Sequence, residues 1–353
     1  MLRPDPDFWR GRRVLVTGAS GFKGSWLVLA LRELGAVVTG LSLPPPQGPS
    51  HFVLAGVDAE LDHCEVDVRD YGAVAEVVKK ARVEVVFHLA AQALVFAGYA
   101  DPIGTYGSNI MGTVHLLEAL RHSPGVRVLV NVTTDKVYAD AQSQAHVEGG
   151  RLGGADPYSA SKACSELVTA ASASWAVPAG LMIATARSGN TLGGGDWAAN
   201  RLVPDAVRAA QDRRSLSLRC PTAVRPWQFV LDSLGGYLLL AQALHSRDDG
   251  ESFVGGWNFS PGVGCEPTVV ELATALAEAL GAPCPVVEDQ PETPAETAIL
   301  RLDSSKAREH LGWQPSVDWR GCVEQTARWY RVWLDGADVG RESRSQVRGY
   351  LAG

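Results

Sequence analysis

Short apolar runs alternate with stretches of helical period through the first half of the chain. Val14-Leu15-Val16 leads into Gly18, and a helical pattern follows from Gly24 to Leu34, closed by Gly35. Val37 to Leu43 reads as a second strand, stopped at Pro44-Pro45-Pro46. His63 to Val66 predicts a third strand, Tyr71 to Ala81 a helix, and Val83 to Ala90 a fourth strand. Asp101 to His122 is helical in pattern, Val126 to Val132 is a fifth strand, Ser159 to Trp175 an alanine-rich helix, and Leu181 to Ala186 a sixth strand. Repeated strand–helix alternation then predicts an α/β fold, a Rossmann-type doubly wound parallel sheet.

The second half is less regular. Ser233 to His245 reads as a long helix, Gly256 to Phe259 as a strand returning to the sheet, and Thr268 to Leu280 and Ser304 to Leu311 as helices of a smaller α/β lobe. The organisation expected is a dinucleotide-binding domain over residues 8–187, with returning segments at about 229–260, and a substrate-binding lobe from 188–228 and 261–335. The polar tail 336–353 is expected to lie on the surface or to be partly mobile.

Composition narrows the function classes. The 353 residues are 46% hydrophobic and 20% charged, ordinary values for a globular enzyme, and the net charge is −7. No run of five or more basic residues occurs, which argues against nucleic acid or an anionic membrane as a partner. Cys64, Cys164, Cys220, Cys265, Cys284 and Cys322 are scattered without a Cys-x-x-Cys pair, so reduced thiols, no metal and a cytoplasmic location are expected. The proline-broken start is no signal peptide, and no apolar run approaches a membrane span.

Candidate chemistry lies at the carboxyl ends of the expected strands. Gly18, Gly21 and Gly24 sit between the first strand and the first helix. Glycines there allow a tight turn and let backbone N–H groups approach a pyrophosphate. A glycine-rich turn without a ligand is the bland alternative, but strand before and helix after favour the dinucleotide. Phe22 and Lys23 belong to the same loop; Lys23 either reaches a phosphate or is a solvated first-turn side chain. Ser42 and Leu43 stand where an acid would hold the ribose of NAD, and no arginine follows to hold the 2′-phosphate of NADP; NAD is the cofactor expected. Asp67-Val68 is placed at the adenine edge, and Leu89-Ala90-Ala91-Gln92 supplies small residues along which a cofactor can lie.

Tyr158 and Lys162 are one helical turn apart and project from one face. An ammonium beside a phenol favours the phenolate and lowers its pKa, which makes tyrosine a usable base. Asp135-Lys136 follows Thr133-Thr134 at the end of the fifth strand. A surface ion pair explains it equally simply, but lysine occurs only six times in the chain and the pair stands at the expected crevice, which favours an acid–base pair.

These residues resemble the extended short-chain dehydrogenase/reductase family, and within it the CDP-glucose 4,6-dehydratase branch. The resemblance is carried by Gly21-Phe22-Lys23-Gly24-Ser25-Trp26-Leu27, Val86 to Gln92, Asn109-Ile110-Met111-Gly112-Thr113, Thr134-Asp135-Lys136, Asp156-Pro157-Tyr158-Ser159 with Ser161-Lys162, Gly189-Asn190, Gly193 to Trp197 and Arg225-Pro226-Trp227-Gln228. It runs from about Phe8 to Leu311-Gly312-Trp313-Gln314-Pro315. It implies that Tyr158 and Lys162 adjoin NAD and deprotonate the sugar 4-hydroxyl, with Thr134 on the same oxygen. Lys136 would take the C5 proton and Asp135 protonate the leaving 6-hydroxyl. It further implies Asn109 beside the cofactor, Asn190, Arg201 and Arg225 on the phosphates of a nucleotide sugar, and a homodimer through 101–122 and 159–175. A nucleotide-sugar 4-epimerase shares Tyr158, Lys162 and NAD but has no use for Asp135-Lys136. Phe96-Ala97-Gly98, where the branch resembles Arg-Leu-Ser, together with Thr293 and His146 to Gly150, departs from the pattern; another sugar nucleotide or drift accounts for these.

Overall fold

The computed structural model describes residues 2–139, 145–246, 248–261, 266–287 and 299–353; Thr293 and Cys265 lie outside them. Seven parallel strands form the central sheet: β1 (Arg13–Thr17), β2 (Val37–Ser42), β3 (Asp62–Glu65), β4 (Val85–His88), β5 (Val128–Val132), β6 (Met182–Ser188) and β7 (Gly255–Phe259). Their order is β7-β6-β5-β4-β1-β2-β3, so the chain reverses direction of travel between β1 and β4. The pleat deals alternate side chains to two cores. Val14, Val16, Val85, Phe87, Val128 and Val130 enter one; Leu15, Val86, Leu129 and Ile183 enter the other. The first core is closed by α1 (Phe22–Glu33), the second by α2 (Tyr71–Ala81) and α3 (Gly112–Arg121). α4 (Pro157–Ala176) adds Ala176 to the second core.

α5 (Leu202–Gln211), α6 (Val230–Leu244), α7 (Val269–Leu280) and α8 (Trp319–Leu334) follow, with α6 closing the first core before β7 joins β6. Two short parallel pairs, Thr191–Leu192 with Gln228–Phe229 and Ser217–Leu218 with Val286–Val287, lie outside the central sheet. No helix among the described residues is long and apolar enough to cross a membrane.

Two elements differ from the sequence expectation. The tail is neither loose nor merely surface-bound: α9 (Val339–Ala352) buries Val339, Ser343, Val347 and Tyr350. Its charges are answered from distant segments, Arg344 by Glu60 at 2.7 Å and Arg348 by Glu33 at 2.8 Å. The helical stretch 101–122 is interrupted by a π turn at Gly107–Met111. Such turns widen the helix and often re-aim a side chain at a functional site.

Two buried histidines give the fold a pH limit. His51 lies between Ser25 (Nδ1 to Oγ, 2.8 Å) and Ser343 (Nε2 to Oγ, 3.0 Å), and His88 between Thr17 (2.7 Å) and Thr113 (3.2 Å). Burial lowers both to about 3, with a smaller push from Arg344 on His51 and from Lys162 on His88. Unfolded histidine titrates near 6.5, so between about 6.5 and 3 the unfolded chain binds more protons. Stability should therefore fall as pH drops through that window, by about 1.4 kcal/mol per pH unit for each histidine at full slope. Thermal melts at neutral and mildly acidic pH should show this loss, and His51→Gln should flatten it.

Candidate active site

The cleft opens at the carboxyl ends of β1, β4, β5 and β6, where the strand order reverses and open α/β sheets hold their ligands. Its volume of about 1260 Å³ exceeds that of a drug-sized pocket and suits two nucleotides.

At one end stands the glycine loop. Gly18 has φ +70°, and a Cβ there would lie 2.7 Å from Ala90 N; one on Gly24 would lie 2.1 Å from Gly18 O. Only glycine lets the three segments pack this closely. Gly21 caps α1 without a side-chain hydrogen bond, leaving the first-turn N–H groups for an anion. This cradle fits a dinucleotide pyrophosphate. Phe22, Val68, Leu89, Ala90, Ala91 and Gln92 line the same cleft. Asp67 lines it too, but its carboxylate is gripped by Arg69 at 2.6 Å, which holds its pKa below the usual range. Ser42, at the end of β2, accepts from Ser20 N (3.2 Å) and contacts His63 Nε2 (2.8 Å).

Asn109 is placed differently from the sequence expectation. It is buried in the π turn outside the cleft lining, and its amide brackets Gln92: Nδ2 donates to Gln92 O (2.9 Å) and to Ser161 Oγ (2.8 Å), while Oδ1 accepts from Gln92 N (2.8 Å). Asn109 thus acts on the cleft through Gln92.

The reacting end gathers Thr134, Asp135, Lys136, Tyr158 and Lys162 in one wall. α4 starts where Asp156 accepts from Ser159 N (3.0 Å), with Pro157 in its first turn, and this fixes Tyr158 at the cleft. Thr134 caps the turn Asp135–Val137 and donates to Asp135 Oδ1 (3.0 Å). Lys136 Nζ lies 3.5 Å from the same oxygen. Asp135 is only 1% exposed, and its Oδ2 has no hydrogen-bond partner among the described residues. A buried carboxylate oxygen without a partner is costly, so it points to a ligand group or a transferable proton.

The phenol of Tyr158 is not lowered here. Burial pushes it up to about 12, opposed first by its hydrogen bond with Thr134. The expected neighbouring cation is engaged elsewhere, because Lys162 Nζ donates to Val132 O (3.0 Å). Lys162 itself is lowered to about 8 by burial and by the charge of Lys23.

Asn190, Arg201 and Arg225 line the other side of the cleft. Arg201 is oriented by Asp196 (3.1 Å) and Arg225 by Val224 O (2.9 Å). Gly98 backs directly onto Tyr158: a Cβ there would lie 3.2 Å from Tyr158 N. Phe96 lies against Arg219, whose guanidinium is 5.0 Å from the ring centre.

Several residues have no local sequence signal. Glu166 accepts from Thr133 Oγ1, Thr185 Oγ1 and Arg187, the last pair at 2.8 Å, so a buried ion pair ties α4 to β6 and a hydrogen bond ties it to the residue before Thr134. Only the four-residue spacing from Lys162 places Glu166 on the inward face. Ser188 and Tyr237 meet Lys23, whose ammonium donates to both hydroxyls.

The GDP-mannose 4,6 dehydratase family profile matches residues 15–326. The chain is 38% identical to a CDP-glucose 4,6-dehydratase of Salmonella typhimurium, covering 99% of this chain and 98% of that one. The chain belongs to this dehydratase family. The family sits within the extended short-chain dehydrogenases/reductases. A UDP-glucose 4-epimerase of Mycolicibacterium smegmatis is 30% identical over 90% of this chain and 98% of its own. The solved dTDP-glucose 4,6-dehydratase DesIV of Streptomyces venezuelae, with NAD and TYD bound, superposes with a TM-score of 0.79 at 29% identity, covering 93% of this chain and 99% of that one.

Proposed function

We propose that this dehydratase catalyses the NAD-dependent 4,6-dehydration of CDP-D-glucose to CDP-4-keto-6-deoxy-D-glucose, a hydro-lyase reaction. The observation that carries the reaction type is Asp135, buried with Oδ2 unpartnered among the described residues, beside Lys136 and lining one cleft with Thr134 and Tyr158. A 4-epimerase needs no such pair. The sugar nucleotide rests on the Salmonella relative.

Residues 8–187, with 229–260, hold the dinucleotide in this scheme, and 188–228 with 261–335 hold the nucleotide sugar. The cofactor lies over Gly18, Gly21, Phe22, Lys23 and Gly24, between Asp67-Val68 and Leu89-Ala90-Ala91-Gln92. Bound there, its contribution is reversible hydride acceptance. Tyr158, positioned with Lys162, takes the 4-hydroxyl proton, and Thr134 hydrogen-bonds the same oxygen. The 4-ketone so formed acidifies the C5–H bond. Lys136 removes that proton, and Asp135 delivers one from Oδ2 to the departing 6-hydroxyl; Oδ1 is already held by Thr134 and Lys136. The hydride lost from C4 is returned to C6 and Lys136 returns a proton to C5, which completes the 4-keto-6-deoxy sugar and leaves no net oxidation. Asn190, Arg201 and Arg225 hold the diphosphate. Incubation with CDP-, dTDP-, UDP- and GDP-hexoses, followed by mass spectrometry, tests the scheme. Water loss from CDP-glucose is expected, and a change of configuration without water loss would contradict it.

The scheme includes a homodimer in the cytoplasm, where unpaired thiols such as Cys64 and Cys164 stay reduced. Ile103 is 84% exposed and Leu167 57%, with Tyr106 and Met111 also exposed on the 102–121 stretch that packs with α4. Large apolar side chains on adjoining helices suit a two-fold contact between copies. Ile103→Asp combined with Leu167→Asp should halve the mass seen by light scattering; a wild-type protein already at monomer mass would contradict the dimer.

A further inference from the structure

The groups of the proposed scheme are divided between two elements. Tyr158 and Lys162 stand on α4, whereas Thr134, Asp135 and Lys136 stand at the turn that follows β5. The residues on either side of that turn are held by side chains behind the cleft. On the near side, Asn131 Nδ2 donates to Ser165 Oγ (2.9 Å) and Thr169 Oγ1 (2.8 Å), and Val132 O accepts from Lys162 Nζ (3.0 Å). Thr133 Oγ1 then donates to Glu166 Oε1, so three successive residues are bonded to α4. On the far side, Tyr138 OH accepts from Arg187 Nη1 (2.8 Å) and donates to Asn258 Oδ1 (2.7 Å) on β7.

The two flanks meet in one ion pair. Arg187 donates to Glu166 through Nε (2.9 Å) and Nη2 (2.8 Å). Glu166 therefore holds Thr133, and its partner Arg187 holds Tyr138, with only residues 134–137 between the two anchors. Glu166 and Arg187 are both buried, and neither lines the cleft. Arg187 Nη1 also donates to Glu148 O (3.0 Å), and the His146 ring stacks on Tyr138 with centres 4.5 Å apart, which brings in the segment His146 to Gly150. We propose that Glu166 and Arg187 are positioning residues, a buried pair that clamps both ends of the Thr134-Asp135-Lys136 turn and keeps its acid and base in register with Tyr158. This rests on the dehydration reading given above.

The reaction needs such a register. Oxidation takes place at C4 and elimination at C5 and C6 of the same sugar, so groups on α4 and on the turn must reach neighbouring atoms of one ring. A misplacement of about 1 Å can cost about 10²-fold in rate. A guanidinium gripping a carboxylate at two points fixes direction as well as distance. A tether required only for stability could be apolar, since buried ion pairs add little net stability over well-packed hydrophobic side chains.

The test cuts the two anchors and leaves the charges in place, because removing either charge would strand the other in the interior. Thr133→Val leaves Glu166 bonded to Thr185 and Arg187; Tyr138→Phe leaves Arg187 bonded to Glu166 and Glu148 O. Each variant should slow dehydration of CDP-glucose by about 10- to 100-fold and leave KM within about twofold. In a single turnover the absorbance of reduced dinucleotide should appear and build up, because C4 is still oxidised by Tyr158 while elimination lags. Thr133→Ser keeps the hydroxyl and should follow the wild-type course. Loss of oxidation and elimination in equal proportion in both variants, or unchanged turnover in both, would overturn the proposal and leave the dehydration reading standing. A wild type that removes no water from CDP-glucose would overturn that reading and the proposal with it.

Discussion

Replacing Lys136 by alanine should reduce dehydration by about 10²- to 10⁴-fold, the usual contribution of a positioned base, and leave nucleotide-sugar affinity nearly unchanged. The Lys136 side chain is partly exposed at the cleft wall, with Nζ 3.5 Å from Asp135 Oδ1, and among the described residues it makes no other ion pair. The variant should still oxidise the sugar at C4, because Tyr158, Thr134 and Lys162 are untouched, and then stall before C5 is deprotonated. A single-turnover experiment should show the absorbance of reduced dinucleotide appear and persist. Full turnover by Lys136→Ala would remove it from the base role.

Tyr158→Phe should be at least as damaging, with kcat down by about 10³-fold, and should fail earlier, with no reduced dinucleotide formed in the single turnover. The two variants therefore separate the proton transfers at O4 and at C5. With the phenol raised to about 12 by burial, the form that acts as base is favoured by rising pH, so activity should climb with pH on the acid side. Lys162→Met removes the donor to Val132 O behind the same wall and should lower kcat without moving that limb. A Lys162→Met profile displaced along the pH axis would show that Lys162 does influence the ionisation of Tyr158.

How far the chain discloses this depends on the range of the interaction involved. β1, β4 and β5 are legible because both faces are buried, so their apolar runs are unbroken. The glycine loop and the cap at Asp156-Pro157 are legible because both act within a few residues. Asp135-Lys136 and Tyr158 with Lys162 stand out by local spacing, and the fold brings them into one wall. α9 is hidden because its charges are neutralised by Glu33 and Glu60, some 300 residues away in sequence, and its few apolar side chains do not announce a buried face. The direction of Lys23 is set by Ser188 and Tyr237, 165 and 214 positions on. Asn109 is recognised by motif, yet its role as the bracket of Gln92 comes from a π turn that periodicity does not reveal. The lowered phenol expected from the Tyr158–Lys162 spacing is overridden by burial and by the bond from Lys162 to Val132 O.

The central claim is that Asp135 and Lys136 eliminate water after oxidation at C4. The most direct measurement is incubation of the pure protein with NAD and CDP-glucose in deuterium oxide, with the product analysed by mass spectrometry and NMR. The account predicts a 4-keto-6-deoxy product that has lost one water and carries one solvent deuterium at C5. A product of unchanged elemental composition with inverted configuration at C4 and no deuterium at C5 would contradict it.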